Sequence, residues 1–353
     1  MRNKRILVAA LNWGLGHATR CIPIINQLRE SKYEPVIASD GQALQLLKKE
    51  FPDAIFEELS SYNIAYTKKG SNLKWKLLLD SPRIIKNIKA ENDLTKELVR
   101  KYDLKGIISD NRWGVRSEQL KTNIFITHQI NVLSGSTTFL SSFIQQRYME
   151  KFDECWIPDF SGENNLSGIL GHATSTPKNV KYIGPLSRFE KREVPLIYDY
   201  LILLSGPEPQ RSILENILLQ EFQNSKFKIL FIRGVISEES KNNTNPNIEI
   251  KNYLFGKSLE EAINSSKRII SRSGYTTIMD LAKLEKKAFF IPTPGQNEQE
   301  YIAERLEKMN IAPFCKQEEF RISKLDKIEN YKGLSDLGNH TFLGNLFTFF
   351  EGE

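Results

Sequence analysis

Short apolar runs rich in β-branched residues return along the chain, each followed by a longer stretch with helical periodicity, and this alternation limits the fold more than any other feature. Arg5–Leu11, Glu34–Ala38, Gly106–Ser109, Asn123–Thr127 and Glu154–Ile157 make one series. Tyr200–Leu204, Lys228–Ile232, Ile248–Lys251, Arg268–Ser271 and Ala288–Pro292 make a second. Between them lie helical patterns such as Thr19–Glu30, with Ile24, Ile25 and Leu28 on one face. Strands apolar on both faces belong in parallel sheets covered by helices. The predicted class is therefore α/β, two Rossmann-like domains facing across a cleft, and a length of 353 residues suits two domains. Glycine and proline break the pattern at Tyr182-Ile183-Gly184-Pro185-Leu186. Domains are expected over 1–184 and 185–336. A final segment, 337–353, carries Phe342, Leu343, Leu346, Phe349 and Phe350 and is expected to cross back to the first domain.

Composition narrows the class of ligand. Hydrophobic residues make up 40% and charged residues 26%, the balance of a folded globular chain. A formal charge of +6 is too weak to imply nucleic acid, yet it suits phosphorylated ligands or an anionic membrane surface. Cys21, Cys155 and Cys315 are far apart and form no CxxC pair, which points to a reduced, cytoplasmic setting. The apolar run after Arg5 is short and breaks at Asn12-Trp13-Gly14 without a cleavage site, so it reads as a strand rather than a leader. No stretch has the length of a bilayer span.

Four sites follow strands and contain glycine or hydrogen-bonding side chains. In the first, Gly14-Leu15-Gly16-His17 opens a helix, where free N–H groups can meet negative charge and His17 can take a proton from a hydroxyl. The second is Ser271-Arg272-Ser273-Gly274-Tyr275-Thr276-Thr277-Ile278-Met279-Asp280. Its turn (Ser273, Gly274, Thr276, Thr277) suits a diphosphate, and Asp280 suits a ribose diol. In the third, the Pro-Thr-Pro-Gly turn leads into Gln296-Asn297-Glu298-Gln299-Glu300, amides and acids able to read sugar hydroxyls or simply to cap a helix. Ser205 and Gly206 form the fourth, with Arg211 as added positive charge. There is no Walker A motif, no HExxH, no Cys/His ligand set and no Asp-x-Asp pair. The expected chemistry uses no metal and no cofactor beyond the donor substrate, with helix ends and backbone N–H groups balancing charge.

Taken in this order, the four sites resemble the MurG-like family 28 glycosyltransferases, two-domain inverting enzymes typified by the peptidoglycan N-acetylglucosamine transferase. The resemblance covers nearly the whole chain and is most specific over Ser271–Tyr301. It implies the GT-B fold and a UDP-sugar donor, an N-acetylhexosamine foremost, in a hexosyltransferase that needs no metal. Gly16 and His17 match the end of the family's first glycine-rich motif, although Asn12 and Trp13 stand where that motif has glycines. His128 resembles the second histidine motif. Ser205-Gly206 is similar to the diphosphate loop and Phe255-Gly256 to the place where backbone groups hold uracil. Asp280 stands where the family has a glutamate on the ribose. Gln299 matches the first of two sugar-binding glutamines, and Glu300 replaces the second.

Asp110, Asn111 and Arg112 end a first-domain strand and are expected, with His128, on the acceptor side. The acceptor would be a hydroxyl, lipid-linked or part of a cell-envelope glycan, met at the inner face of the cell membrane. Lys68–Lys89 is a basic, Trp-containing amphipathic stretch. Such a stretch lies on an anionic membrane or packs as a core helix. Two rival readings remain open: a UDP-sugar hydrolase or epimerase on the same scaffold, and a nucleotide-binding protein without catalysis.

Overall fold

The computed structural model describes residues 4–62, 73–235, 244–337 and 346–350. It divides into two compact units, Met1–Ser187 with His340–Glu353, and Arg188–Asn339.

In the first unit seven strands form an all-parallel sheet: β1 Arg5–Ala10, β2 Glu34–Ser39, β3 Ile55–Glu58, β4 Leu104–Asp110, β5 Asn123–Ile126, β6 Glu154–Ile157 and β7 Val180–Tyr182. Their spatial order is β3-β2-β1-β4-β5-β6-β7. Helices α1 Leu15–Glu30, α2 Gly41–Glu50, α3 Leu73–Tyr102 and α4 Thr138–Met149 connect them. The chain steps outward in one direction from β1 to β3 and in the other from β4 to β7. Such a reversal leaves a crevice beyond the carboxyl ends of the two central strands. Ala10 pairs with Asp110 at the ends of β1 and β4, so the loop after β1 and the end of β4 meet there.

The second unit repeats the plan with five parallel strands: β8 Tyr198–Leu203, β9 Ile229–Ile232, β10 Ile248–Lys251, β11 Ser266–Ser271 and β12 Lys287–Phe290. The order is β10-β9-β8-β11-β12. Helices α5 Gln210–Glu221, α6 Gly256–Asn264, α7 Tyr275–Lys283 and α8 Asn297–Lys308 accompany them. The reversal falls between β8 and β11, whose ends pair at Leu203 and Ser271.

Each apolar run of the sequence forms a strand. Ile6, Leu7, Val8 and Ala9 are buried, as are Ile229 to Ile232, because helices cover both faces. Two strands, β3 and β7, have no counterpart in the sequence reading. Both are sheet edges and are only partly buried, so they lack a continuous apolar run. Helix α1 starts at Leu15, earlier than its apolar periodicity, because its first turn carries the glycine-rich motif.

The C-terminal segment completes the first unit. Leu346, Phe347 and Phe350 are buried, with Phe350 against Tyr33 and Phe347 edge-on to Trp156. Lys4 Nζ donates to the Phe350 carbonyl at 3.3 Å. A side chain at Gly106 would stand 2.2 Å from the Phe350 ring, so glycine on β4 makes room for it. Phe342 and Leu343 lie outside the described residues, as does the start of the Lys68–Lys89 stretch. The remainder of that stretch belongs to α3, where Ile85 is exposed.

Candidate active site

In the first unit the loop after β1 passes over the end of β4, Leu11 N–H donating to the Asp110 carbonyl at 3.1 Å. Gly14, at φ 79°, turns the chain into α1 and places Gly16 and His17 in its first turn. His17 Nδ1 lies 2.6 Å from Asp110 Oδ1. One turn on, Arg20 is 1% exposed and directs its guanidinium onto both carboxylate oxygens of Asp110. Its Nη1 is also 2.8 Å from His128 Nδ1, and its Nη2 is 2.9 Å from His17 Nδ1.

Burial alone would raise the Asp110 pKa, but Arg20 and then His17 reverse this and hold it down at about 2. The carboxylate is therefore ionised and can only accept hydrogen bonds. His17 has its pKa lowered, first by burial and then by the Arg20 charge, with Asp110 opposing. The ring is neutral at pH 7, holds its proton on Nδ1 toward Asp110, and keeps the Nε2 lone pair. This arrangement can abstract a proton.

Two acceptor-side assignments change. Asp110 is fully buried, and both of its carboxylate oxygens are already bonded, by His17 and Arg20. Arg112 is also fully buried, donating to Glu91 at 2.6 Å, to Asp40 at 2.7 Å and to the carbonyls of Ala10 and Ser60. Its charge is matched inside the unit. Asn111 adopts φ 57° and accepts from Gln145 at 3.4 Å, while His128 sits just past β5. Asn12, where the family motif has glycine, donates to Asp40 at 3.1 Å and accepts from the Ala43 N–H at 3.3 Å, tying the β1 loop to the start of α2.

In the second unit the ends of β8, β11 and β12 stand side by side. Ser205 and Gly206 follow β8, both exposed, with Gly206 at φ 107°. Past β11, Ser273 is buried and its hydroxyl donates to the Gln299 carbonyl at 2.7 Å. Gly274 precedes α7, Thr276 and Thr277 occupy its first turn, and Asp280 lies one turn later, half-buried. Beyond β12, Gln299 Oε1 accepts from the Thr293 N–H at 2.9 Å and its amide donates to Gln296. Glu300 accepts from the Gly295 N–H at 3.0 Å. Gln299 and Glu300 thus brace the Pro-Thr-Pro-Gly turn. Phe255 and Gly256 open α6 after the edge strand β10, two strands from β8.

Arg272 was not singled out by the sequence. It is buried between the three loops and donates to the carbonyls of Ile291 and Pro292 at 3.0 Å, to that of Gln210 at 2.9 Å and to Gln317 Oε1 at 2.6 Å. One cation thereby ties the β11 turn to the β12 turn and the start of α5. Arg211, expected to add charge for a ligand, instead bonds Glu208, Glu215 and the Arg233 carbonyl. Its charge is already balanced. Among the described residues no group of three or more His, Cys, Asp or Glu could hold a metal ion, and no helix is long and apolar enough to cross a membrane.

Residues 204–330, which include all three loops of the second unit, match the glycosyltransferase family 28 C-terminal domain. The second unit thus resembles a family 28 glycosyltransferase domain over most of its length. The UDP-N-acetylglucosamine–N-acetylmuramyl-(pentapeptide) pyrophosphoryl-undecaprenol N-acetylglucosamine transferase of Buchnera aphidicola is 31% identical over 221 residues. That match covers 58% of this chain and 56% of the relative, so the chain spans little more than half the relative's length. An uncharacterized glycosyltransferase of Methanosarcina acetivorans is 24% identical over 326 residues, 84% of this chain and 81% of the relative. The crystal structure of Acinetobacter baumannii MurG superposes with a TM-score of 0.59 at 13% identity, covering 99% of this chain and all of that one. The fold is thus the two-unit α/β architecture of the GT-B glycosyltransferases, and the match to the family 28 domain lies in its second part.

Proposed function

We propose that this chain is an inverting hexosyltransferase that moves a sugar, foremost an N-acetylhexosamine, from a UDP-sugar to a hydroxyl acceptor. The observation that carries the reading is the Asp110–His17 pair at the reversal point of the first sheet, in a chain whose residues 204–330 match a family 28 domain. Asp110 fixes the Nδ1 proton of His17, and Nε2 takes the proton of the acceptor hydroxyl as its oxygen attacks the anomeric carbon. The bond from that carbon to the diphosphate breaks with inversion, UDP leaves as the anion, and His17 passes its proton to solvent. One general base of this kind contributes about 10²–10⁴ in rate.

The donor is assigned to the second unit. Ser205, Gly206, Ser273, Gly274, Thr276 and Thr277 surround the diphosphate, where the N-terminus of α7 opposes its charge. Asp280 accepts from the ribose hydroxyls, Phe255 and Gly256 flank the base, and Gln299 and Glu300 face the sugar. No metal takes part. Gly16, Asn111 and His128 border the acceptor, which is lipid-linked or a cell-envelope glycan. The chain acts on it from the cytoplasmic face of the membrane, with Lys68–Lys89 as the contact. The name of the Buchnera relative, which specifies a UDP-sugar donor and an undecaprenol-linked acceptor, supports both choices.

The test is incubation with UDP-, GDP- and TDP-sugars and a cell lipid extract, followed by mass spectrometry of the products. A hexosyl adduct made only from a UDP-sugar is expected. Free sugar or an epimer released at the same rate without the extract would replace this reading with hydrolysis or epimerisation.

A further inference from the structure

Arg20 touches His17, His128 and the Asp110 carboxylate, and the transfer proposed above gives it no role. The inference rests on that reading for the meaning of His17, though its test does not need turnover. We propose that Arg20 is a positioning residue that sorts His17 and His128 into opposite tautomers, so that one ring is built to accept a proton and the other to give a hydrogen bond.

Donor chemistry decides the arrangement. A guanidinium has only N–H groups and an ionised carboxylate only lone pairs. Asp110 Oδ1 lies 2.6 Å from His17 Nδ1 and 2.5 Å from Arg20 Nη2, so both nitrogens donate to the same oxygen. The 2.9 Å between Arg20 Nη2 and His17 Nδ1 is the spacing of two donors on one acceptor. Were His17 Nδ1 instead to accept from Arg20, its lone pair would face the carboxylate at 2.6 Å, an unfavourable contact. His17 therefore carries its proton on Nδ1 and its lone pair on Nε2.

His128 is the reverse. Its Nδ1 is 2.8 Å from Arg20 Nη1, which can only donate, so Nδ1 holds the lone pair and Nε2 the proton. The arrangement depends on the fork: three nitrogens of one planar group donate to both oxygens of Asp110 and to His128 at once, which a lysine ammonium cannot do. The charged and titratable groups facing His17 are Arg20 from α1, Asp110 from β4 and His128 after β5, with the Cys21 thiol on the other oxygen of Asp110. Arg20 offsets the Asp110 charge, so the pair that orients His17 does not make it a strong base.

The tautomers can be read from long-range proton–nitrogen spectra of the full chain labelled with ¹⁵N-histidine. There are four histidines, and His17→Gln and His128→Gln assign the two rings. At pH 7.5 the expected result is Nδ1–H on His17 and Nε2–H on His128. In Arg20→Lys the His128 ring should become a mixture of tautomers. In Arg20→Met the titration midpoint of His17 should rise as the Asp110 charge goes unopposed. The same tautomer on both rings of the unaltered protein would overturn the proposal even if Arg20→Met fails to fold. So would an Arg20→Lys variant with both rings unchanged, because a purely structural role lowers stability without moving tautomers. Failure of the transfer assay with opposite tautomers intact would sink the functional reading alone.

Discussion

The neutral state of His17 has a direct kinetic consequence. Its pKa lies below the ordinary 6.5, first through burial and then through Arg20. Falling pH removes the base only below that value. The acid limb of kcat/KM is therefore expected under pH 6.5, and a limb at or above it would contradict the assignment. Stability shifts in the same direction. The unfolded chain protonates His17 more readily than the folded one, so this contribution is full above 6.5 and declines as pH falls below it. Asp110, held at about 2, adds stability that is present above the ordinary carboxylate range and lost toward pH 2. His17→Ala should lower turnover about 10²–10⁴-fold while UDP affinity by calorimetry stays the same. Asp280→Ala should do the opposite to binding, weakening UDP; unchanged affinity would remove Asp280 from the ribose. The Gly-His motif marked this neighbourhood in the sequence, but the charge pattern around it was not legible. Arg20 and Asp110 are 90 positions apart, and Arg112 finds Glu91 and Asp40 at separations of 21 and 72. A cation beside a loop motif reads as a ligand contact until its distant carboxylate is placed. Arg112 and Arg211, read from sequence alone, therefore look like ligand contacts, and the structure pairs both internally.

Among elements, the turns at the ends of β8, β11 and β12 depend on one residue. Replacing Arg272 with methionine would leave three carbonyls and the Gln317 amide oxygen without their donor. A loss of about 3 kcal/mol in the second unit is expected from denaturant unfolding, together with weaker UDP binding as the turns separate. Gly206→Ala isolates the backbone contribution. The site has room for the methyl group, whose nearest neighbour would be Thr293 Oγ1 at 3.8 Å, but φ 107° is strained for any other residue by about 1–3 kcal/mol. The elements themselves were mostly readable, because a strand covered on both faces is an apolar run in any sequence. β3 and β7 were not, since an edge strand with Glu57 and Glu58 or Lys181 loses that contrast.

For the molecule as a whole, the two sheets rest on different stretches of chain. The first is closed by residues that follow the entire second unit, through Leu346, Phe347 and Phe350. Phe350→Ala should lower the melting transition of the first unit by the equivalent of about 3–5 kcal/mol and leave that of the second in place. UDP should act in the opposite way, raising the second transition, by roughly 2.7 kcal/mol at a hundredfold excess over its Kd.

On the ribosome Arg188–Asn339 emerges before Phe347 and Phe350 do. The nascent first unit therefore waits with the apolar ground around Tyr33, Gly106 and Trp156 bare while its neighbour is already able to fold. Synthesis stalled or cut short after Leu337 would leave a protein with a sound second unit and a sticky, unfinished first one, a natural client for chaperones and proteases.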